Sequence, residues 1–144
     1  MKEMTVPAKI ENIEAVTEFV NEELKRLDCS DDVLYKVDIA IDELFGNIAR
    51  YAYQPDEGPA TVKVDVLPEP LSVILTFIDN GLPFNPLERP DPDVTLSVFE
   101  RTPGGLGIYM VRNSMDEVTY EYKDGKNVLT IRKRMKYAGP EQER

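Results

Sequence analysis

The sequence contains no histidine, no tryptophan and a single cysteine, Cys29. Without histidine the chain cannot form a Ser-His-Asp or Cys-His catalytic arrangement or a histidine-ligated zinc site, and it cannot carry a phosphohistidine. The lone cysteine excludes a disulfide framework and a cysteine metal cluster. Any acid–base chemistry near neutral pH must therefore use a carboxylate, a lysine, a tyrosine or Cys29.

The chain also lacks a membrane-length apolar run, a signal-peptide pattern and an excess of positive charge. It has 27 acidic and 17 basic residues in 144, a net charge of −10. The one basic cluster, residues 132–136, is typical of the solvated end of a strand rather than of a nucleic-acid surface. We therefore expect a cytoplasmic protein that binds neither nucleic acid nor membrane.

Hydrophobic periodicity predicts three helices. Apolar residues recur at three- and four-residue spacing over residues 12–27, where Asn12 is the predicted N-cap. A second helix is predicted over residues 31–53, with Ser30 as its cap, and it ends before a turn-rich segment. A third is expected from residue 108 to about 115.

Alternation of apolar and polar residues predicts a sheet. The predicted strands cover residues 4–10, 62–66, 71–78, 117–123 and 127–134. Asp124-Gly125 lies between the last two and is the strongest short signal for a hairpin. The first strand contains Pro7, which an edge strand tolerates.

These elements predict an α+β fold, a two-layer sandwich in which three helices cover one face of a mixed, mostly antiparallel sheet. The length predicts one domain, residues 1–136, followed by a polar tail, 137–144. Residues 82–103 contain five prolines and little periodicity. A connection this long inside a small domain is more often a functional lid than a tether.

Polar residues on the second helix form the first candidate site. Glu43 and Asn47 are four residues apart, so their side chains leave the same side of the helix. The carboxylate can act as a base, and the carboxamide oxygen is a hard ligand suited to magnesium. Taken alone, the pair is better explained as two polar residues on a wet helix face.

Two further motifs carry glycine. Asp79-Asn80-Gly81 follows a predicted strand and is, by itself, an ordinary turn sequence. Gly104, Gly105 and Gly107 precede the third helix, where glycine permits close approach of an anion and the helix start offers free N–H groups. The alternative is a flexible hinge. No Walker A sequence is present.

In this order and spacing the motifs resemble the Bergerat-fold ATPases, the superfamily of gyrase, heat-shock protein 90, histidine kinases and MutL proteins. The N box looks like Glu43-x-x-x-Asn47, and the two glycine boxes look like residues 79–86 and 104–111. The resemblance covers residues 5–135. In its small size and its lack of histidine, the chain most resembles one branch of this superfamily, the anti-sigma factors with serine/threonine kinase activity.

The resemblance implies a site that binds ATP and Mg²⁺. Glu43 would be the general base, and Asn47 would hold the metal. Asp79 would accept the adenine amino group, and Gly81 would let the base approach the backbone. The remaining implied contacts are Phe84 under the lid, Gly104, Gly105, Leu106 and Gly107 around the phosphates, and Thr130 near the adenine.

The implied partners are a sigma factor and a STAS-type antagonist that receives the phosphate, and the resemblance suggests a homodimer. Tyr51 stands where this branch often has histidine, which puts the role of that position in doubt. The first helix has no arginine before Arg26, although the branch uses a basic residue there in partner contacts. The alternatives are a nucleotide-gated binding module without kinase turnover, and a plain α+β domain without a ligand.

Overall fold

A computed structural model of the chain describes residues 1–68, 71–88 and 106–135. Its main elements are β1 (Lys2–Pro7), α1 (Ile13–Arg26), α2 (Asp31–Asn47), β2 (Pro59–Pro68), β3 (Leu71–Asp79), α3 (Leu106–Ser114), β4 (Glu117–Lys123) and β5 (Lys126–Arg134). The predicted tail, 137–144, and most of the predicted lid lie outside the described residues. The division into a domain and a tail therefore stays a prediction. No helix in the described ranges is both long and apolar enough to cross a membrane.

The strands form one five-stranded sheet in the order β1-β2-β3-β5-β4. Every pairing in the described part of the sheet is antiparallel, including the long-range pairing of β3 with β5. The predicted α+β fold is thus confirmed, although the strands that the structure describes include no parallel pair of the kind that a mixed sheet would have. In the β3–β5 register, Asp79 is opposite Asn127.

The core lies between the sheet and the helices. Each helix buries one apolar stripe, and alternate residues of the central strands face that stripe. The largest fully buried side chains are Phe45, Phe77, Leu24, Ile41, Leu75 and Ile131. The buried side of α2 packs into this core, so its polar side faces away from the core.

The N-termini of α1 and α2 are capped differently. The Ser30 hydroxyl accepts a hydrogen bond from the Val33 N–H, as predicted. Asn12 precedes α1 as predicted but makes no side-chain cap bond, and its Nδ2 donates to the Pro7 carbonyl at 2.8 Å. This bond closes the corner after β1, which ends at Pro7 rather than continuing to residue 10 as predicted.

The second helix extends about as far as predicted but changes character near its end. It is α-helical to Asn47 and continues as a π-helix from Ile48 to Ala52. Wide turns of this kind are rare and occur frequently at functional sites. Here the wide turn is followed by Tyr53, and both Ala52 and Tyr53 contact the turn after β3.

The β4–β5 hairpin has the tight turn that the sequence predicts. Asp124 and Gly125 both have positive φ, 54° and 75°, which is the requirement of a type I′ turn. A Cβ added at Gly125 would meet no atom within 4 Å. Only the backbone conformation, and no steric contact, therefore opposes a side chain at this position.

We predict that Gly125→Ala lowers the free energy of unfolding by about 1 kcal/mol, because a left-handed conformation is unfavourable for alanine. Gly125→Asn is the matched control, since asparagine tolerates this conformation and should lose clearly less. Urea denaturation of the three proteins measures the effect. Equal stability of the alanine variant and the parent would contradict the assigned turn.

Candidate active site

The polar side of α2 faces the start of α3. Asn47 Nδ2 donates to Glu43 Oε1 at 3.5 Å, so the two predicted site residues are neighbours. A Cβ added at Gly107 would lie 2.1 Å from Glu43 Oε2. The structure therefore brings Glu43, Asn47 and Gly107 together, and glycine at 107 is what allows the carboxylate to rest against α3.

Asp79 is buried at the end of β3, with its side chain at the floor of a cavity. Its Oδ1 accepts hydrogen bonds from Gly81 N at 2.8 Å and from Asn127 Nδ2 at 2.9 Å. Its Oδ2 accepts none from the described residues. Burial raises the pKa of this carboxyl, and the two donated bonds partly oppose the rise.

The turn after Asp79 is held by hydrogen bonds from the three backbone N–H groups that follow this residue. Asn80 N donates to the Tyr53 hydroxyl at 2.7 Å, Gly81 N donates to Asp79, and Leu82 N donates to the Ala52 carbonyl at 3.1 Å. A Cβ at Gly81 would lie 2.2 Å from the Ala52 oxygen. Glycine is therefore required here by the close approach of α2's extension.

Asn127 is a site residue that the sequence reasoning missed. Its Nδ2 also donates to the Leu82 carbonyl at 2.9 Å, while its Oδ1 accepts from Phe84 N at 3.0 Å and from the Tyr120 hydroxyl. It is only 6% exposed. The available signal was its place in the alternation, because it is a polar residue at an inward position of a strand.

Thr130 is not brought to this cavity. Asn127 and Leu129 line it, and Thr130 is the next residue along β5, so the period-two alternation places it on the opposite face of the sheet. The expectation that the Thr130 hydroxyl lies near the adenine is therefore corrected: Thr130 does not line this cavity. Asn127, three residues earlier, is the polar side chain that β5 contributes.

The cavity lies between α2, β3, β5 and the segment after β3. Its lining includes Asn47, Ala52, Phe77, Asp79, Phe84 and Asn127. Its volume is about 40 Å³, counted as the space that the centre of a water molecule can occupy. A second cavity of about 160 Å³ adjoins it, between Asn47, Tyr51, Phe84, Pro86 and Ile108.

Tyr51, which stands where the resembled branch often has histidine, forms an aromatic pair with Phe84 beside the cavities. The Tyr51 and Phe84 ring centroids are 6.2 Å apart with the planes tilted by 45°. Both rings are largely exposed. Tyr51 therefore contacts the segment that covers the cavity. Gly104, Gly105 and the Leu106 side chain lie outside the described residues.

The residues present fit a magnesium ion only together with a bound phosphate. Asn47 turns its Nδ2 toward Glu43, which leaves Oδ1 as the atom able to ligate a cation. The described residues contain no group of three or more His, Cys, Asp or Glu side chains that could hold a metal. Magnesium commonly uses one or two protein oxygens and takes its other ligands from phosphates and water.

The fold and this site define a class of protein. Residues 6–133 match the model of the histidine kinase-like ATPase domain. The chain therefore belongs to that family, which confirms the family resemblance seen in the sequence.

Two curated relatives are named protein kinases. The chain is 29% identical over 97 residues to the serine/threonine-protein kinase BtrW of Bordetella bronchiseptica, covering 67% of this chain and 68% of that protein. It is 29% identical over 131 residues to the serine-protein kinase RsbW of Bacillus cereus, covering 88% and 81%. These names agree with the class of enzyme predicted from the sequence.

A solved structure supports the fold. The crystal structure of the RsbU and RsbW domains of a Mycobacterium tuberculosis protein matches 94% of this chain with a TM-score of 0.64 and 16% sequence identity. The match spans 33% of that longer chain. At this identity the similarity shows a shared fold.

The raised pKa of Asp79 predicts a specific pH dependence of stability. Its folded-state pKa lies above the unfolded value, so its contribution favours folding at acidic pH and is lost as the pH rises through the folded pKa. Asp79→Asn keeps an acceptor for Gly81 and Asn127 but cannot ionise. We therefore expect its stability relative to the parent to be higher at pH 7 than at pH 4.

Urea denaturation at the two pH values measures this difference. Asp65→Asn is the matched control, because Asp65 is an exposed carboxylate on β2. A relative stability of Asp79→Asn that is the same at pH 4 and pH 7 would show that burial does not perturb this group.

Proposed function

We propose that this protein is a Mg²⁺–ATP-dependent serine/threonine kinase of the cytoplasm. It would transfer the γ-phosphate to a STAS-type anti-sigma antagonist and sequester a sigma factor. The observation that carries the proposal is that Asn47 lines both adjoining cavities, one of them together with Asp79, while its side chain contacts Glu43, which rests against Gly107. The names of the kinase relatives support it.

Base recognition would depend on Asp79. Its Oδ1 is fixed by two donors, and Oδ2 is available to accept the amino group of adenine. Guanine presents a carbonyl oxygen at the same ring position, and a carboxylate would repel it. Phe84, which lines the same cavity, would contact the bound base.

Phosphate transfer would depend on Glu43. Its carboxylate would take the proton from a serine or threonine hydroxyl as that oxygen forms a bond to the γ-phosphorus. The bond from the γ-phosphorus to the β,γ-bridging oxygen breaks, and ADP leaves. A magnesium ion held by Asn47 would supply charge neutralisation for the phosphates. Gly107, with Gly104, Gly105 and Leu106, would present backbone N–H groups to them.

The partners are proposed from the resemblance. With a net charge of −10, the protein as a whole repels ATP, so phosphate binding must rely on the metal and on local N–H groups. The acidic surface also makes nucleic acid an unsuitable partner. A homodimer is part of the same proposal, and analytical ultracentrifugation would test it.

We predict that Glu43→Gln lowers phosphotransfer about 10²-fold or more, the usual effect of removing a general base, with ATP affinity within threefold of the parent. Labelled ATP and a candidate STAS-type antagonist measure transfer, and calorimetry measures binding. Glu121→Gln, an exposed carboxylate on β4, is the matched control.

The outcomes separate the competing functions. Equal loss of binding and transfer in Glu43→Gln would contradict its role as base. Nucleotide-dependent capture of a partner without any phosphoprotein from the parent would establish the binding module instead. A melting temperature unchanged by Mg²⁺–ATP, with no binding by calorimetry, would leave a domain that does not use this nucleotide.

We also predict that Gly107→Ala folds but loses phosphotransfer to a similar degree. The new Cβ would displace the Glu43 carboxylate, which is the far end of a flexible side chain and can move at little cost to stability. Adding Gly107→Ala to Glu43→Gln should then have little further effect on transfer. Full activity of Gly107→Ala would show that the position of the Glu43 carboxylate is unimportant.

A further inference from the structure

Tyr53 joins the end of the second helix to the turn that carries Asp79. It is the first residue after the π-helix. Its hydroxyl donates to the Pro59 carbonyl at 2.5 Å and accepts from Asn80 N at 2.7 Å. Its ring lies against Gly58, where an added Cβ would come within 2.3 Å of Cε1. The side chain is therefore fixed both at its ring and at its hydroxyl.

The turn depends on two consecutive residues of this extension. Ala52 binds Leu82 through its carbonyl, and Tyr53 binds Asn80 through its hydroxyl. Gly81, between them, donates to Asp79 Oδ1. Because Asp79 is oriented by Gly81, the direction of the free Oδ2 depends on both outer contacts of the turn.

The hydroxyl is suited to this double role. A tyrosine hydroxyl keeps its proton at neutral pH, and burial raises the pKa of Tyr53 further, so the group can donate and accept at once. A phenylalanine would preserve the ring packing on Gly58 and lose both hydrogen bonds. Asn80 is exposed, so its N–H would then bond to water, which leaves the turn folded but less restrained.

We propose that Tyr53 is a positioning residue for base recognition, whose hydroxyl holds the turn from Asp79 to Gly81 so that Asp79 Oδ2 meets the amino group of the base. The proposal rests on the proposed function, because it assumes that Asp79 binds adenine. Tyr53 touches neither the base nor the phosphates in this account. Its effect reaches the nucleotide through Asp79.

Tyr53→Phe tests this inference with two nucleotides. One is ATP, and the other is the triphosphate of purine riboside, which lacks the 6-amino group. The expected result is a Kd for ATP that rises about tenfold, the effect of one or two weakened hydrogen bonds, with a Kd for the analogue that changes less than twofold. In phosphotransfer, KM for ATP should rise and kcat should stay near that of the parent.

Tyr35→Phe is the matched control, because Tyr35 is an exposed tyrosine of α2. Its affinities for both nucleotides should equal those of the parent. A double variant separates this role from an effect on folding. In an Asp79→Asn background, Tyr53→Phe should have no further effect on ATP affinity, because Tyr53 acts on the nucleotide only through Asp79.

Three results would overturn the inference. They are an unchanged ATP affinity in Tyr53→Phe, an equal loss for ATP and the analogue, and additive effects with Asp79→Asn. The last two would assign Tyr53 a general structural role. Failure of the parent protein to bind ATP is a different result, because it overturns the proposed function on which the inference rests.

Discussion

The site depends on one buried carboxylate. A charged group placed at the end of β3, away from water, is unfavourable unless donors surround it. Asp79 has two donors, Gly81 N and Asn127 Nδ2, and these bonds join two adjacent strands and the turn that follows. They leave Oδ2 without a hydrogen bond from the described residues, in a side chain that lines the cavity. The Asp79 carboxylate therefore both helps to hold the turn and sets the chemistry of the cavity lining.

The helix that bears Glu43 and Asn47 is connected to that floor by its own extension. The wide last turn of the helix brings Ala52 and Tyr53 against the turn after β3, and each accepts one N–H group from it. The proposed catalytic wall and the proposed base-recognition turn are thus parts of one hydrogen-bonded unit.

The sequence predicted the elements well because they follow from hydrophobic period, capping and turn residues, as Ser30 and Asp124-Gly125 illustrate. It also placed Glu43, Asn47 and Gly107 at one site. It does not identify the polar residue of β5: the resemblance implies Thr130, whereas the alternation along β5 turns Thr130 to the other face and the antiparallel pairing puts Asn127 opposite Asp79. The role of Tyr53 was equally hidden, because its partners Pro59 and Asn80 are brought to it only by the folded sheet.

The most direct test of this account is a nuclear magnetic resonance titration with Mg²⁺ and a non-hydrolysable ATP analogue. We predict that the largest shifts fall on the backbone amides of Asn80, Gly81, Leu82 and Phe84 and on the side-chain amides of Asn47 and Asn127. Signals from the β4–β5 turn, such as Gly125, should stay in place. Saturable shifts centred on another surface, or none at all, would contradict the claim that these elements form one nucleotide site.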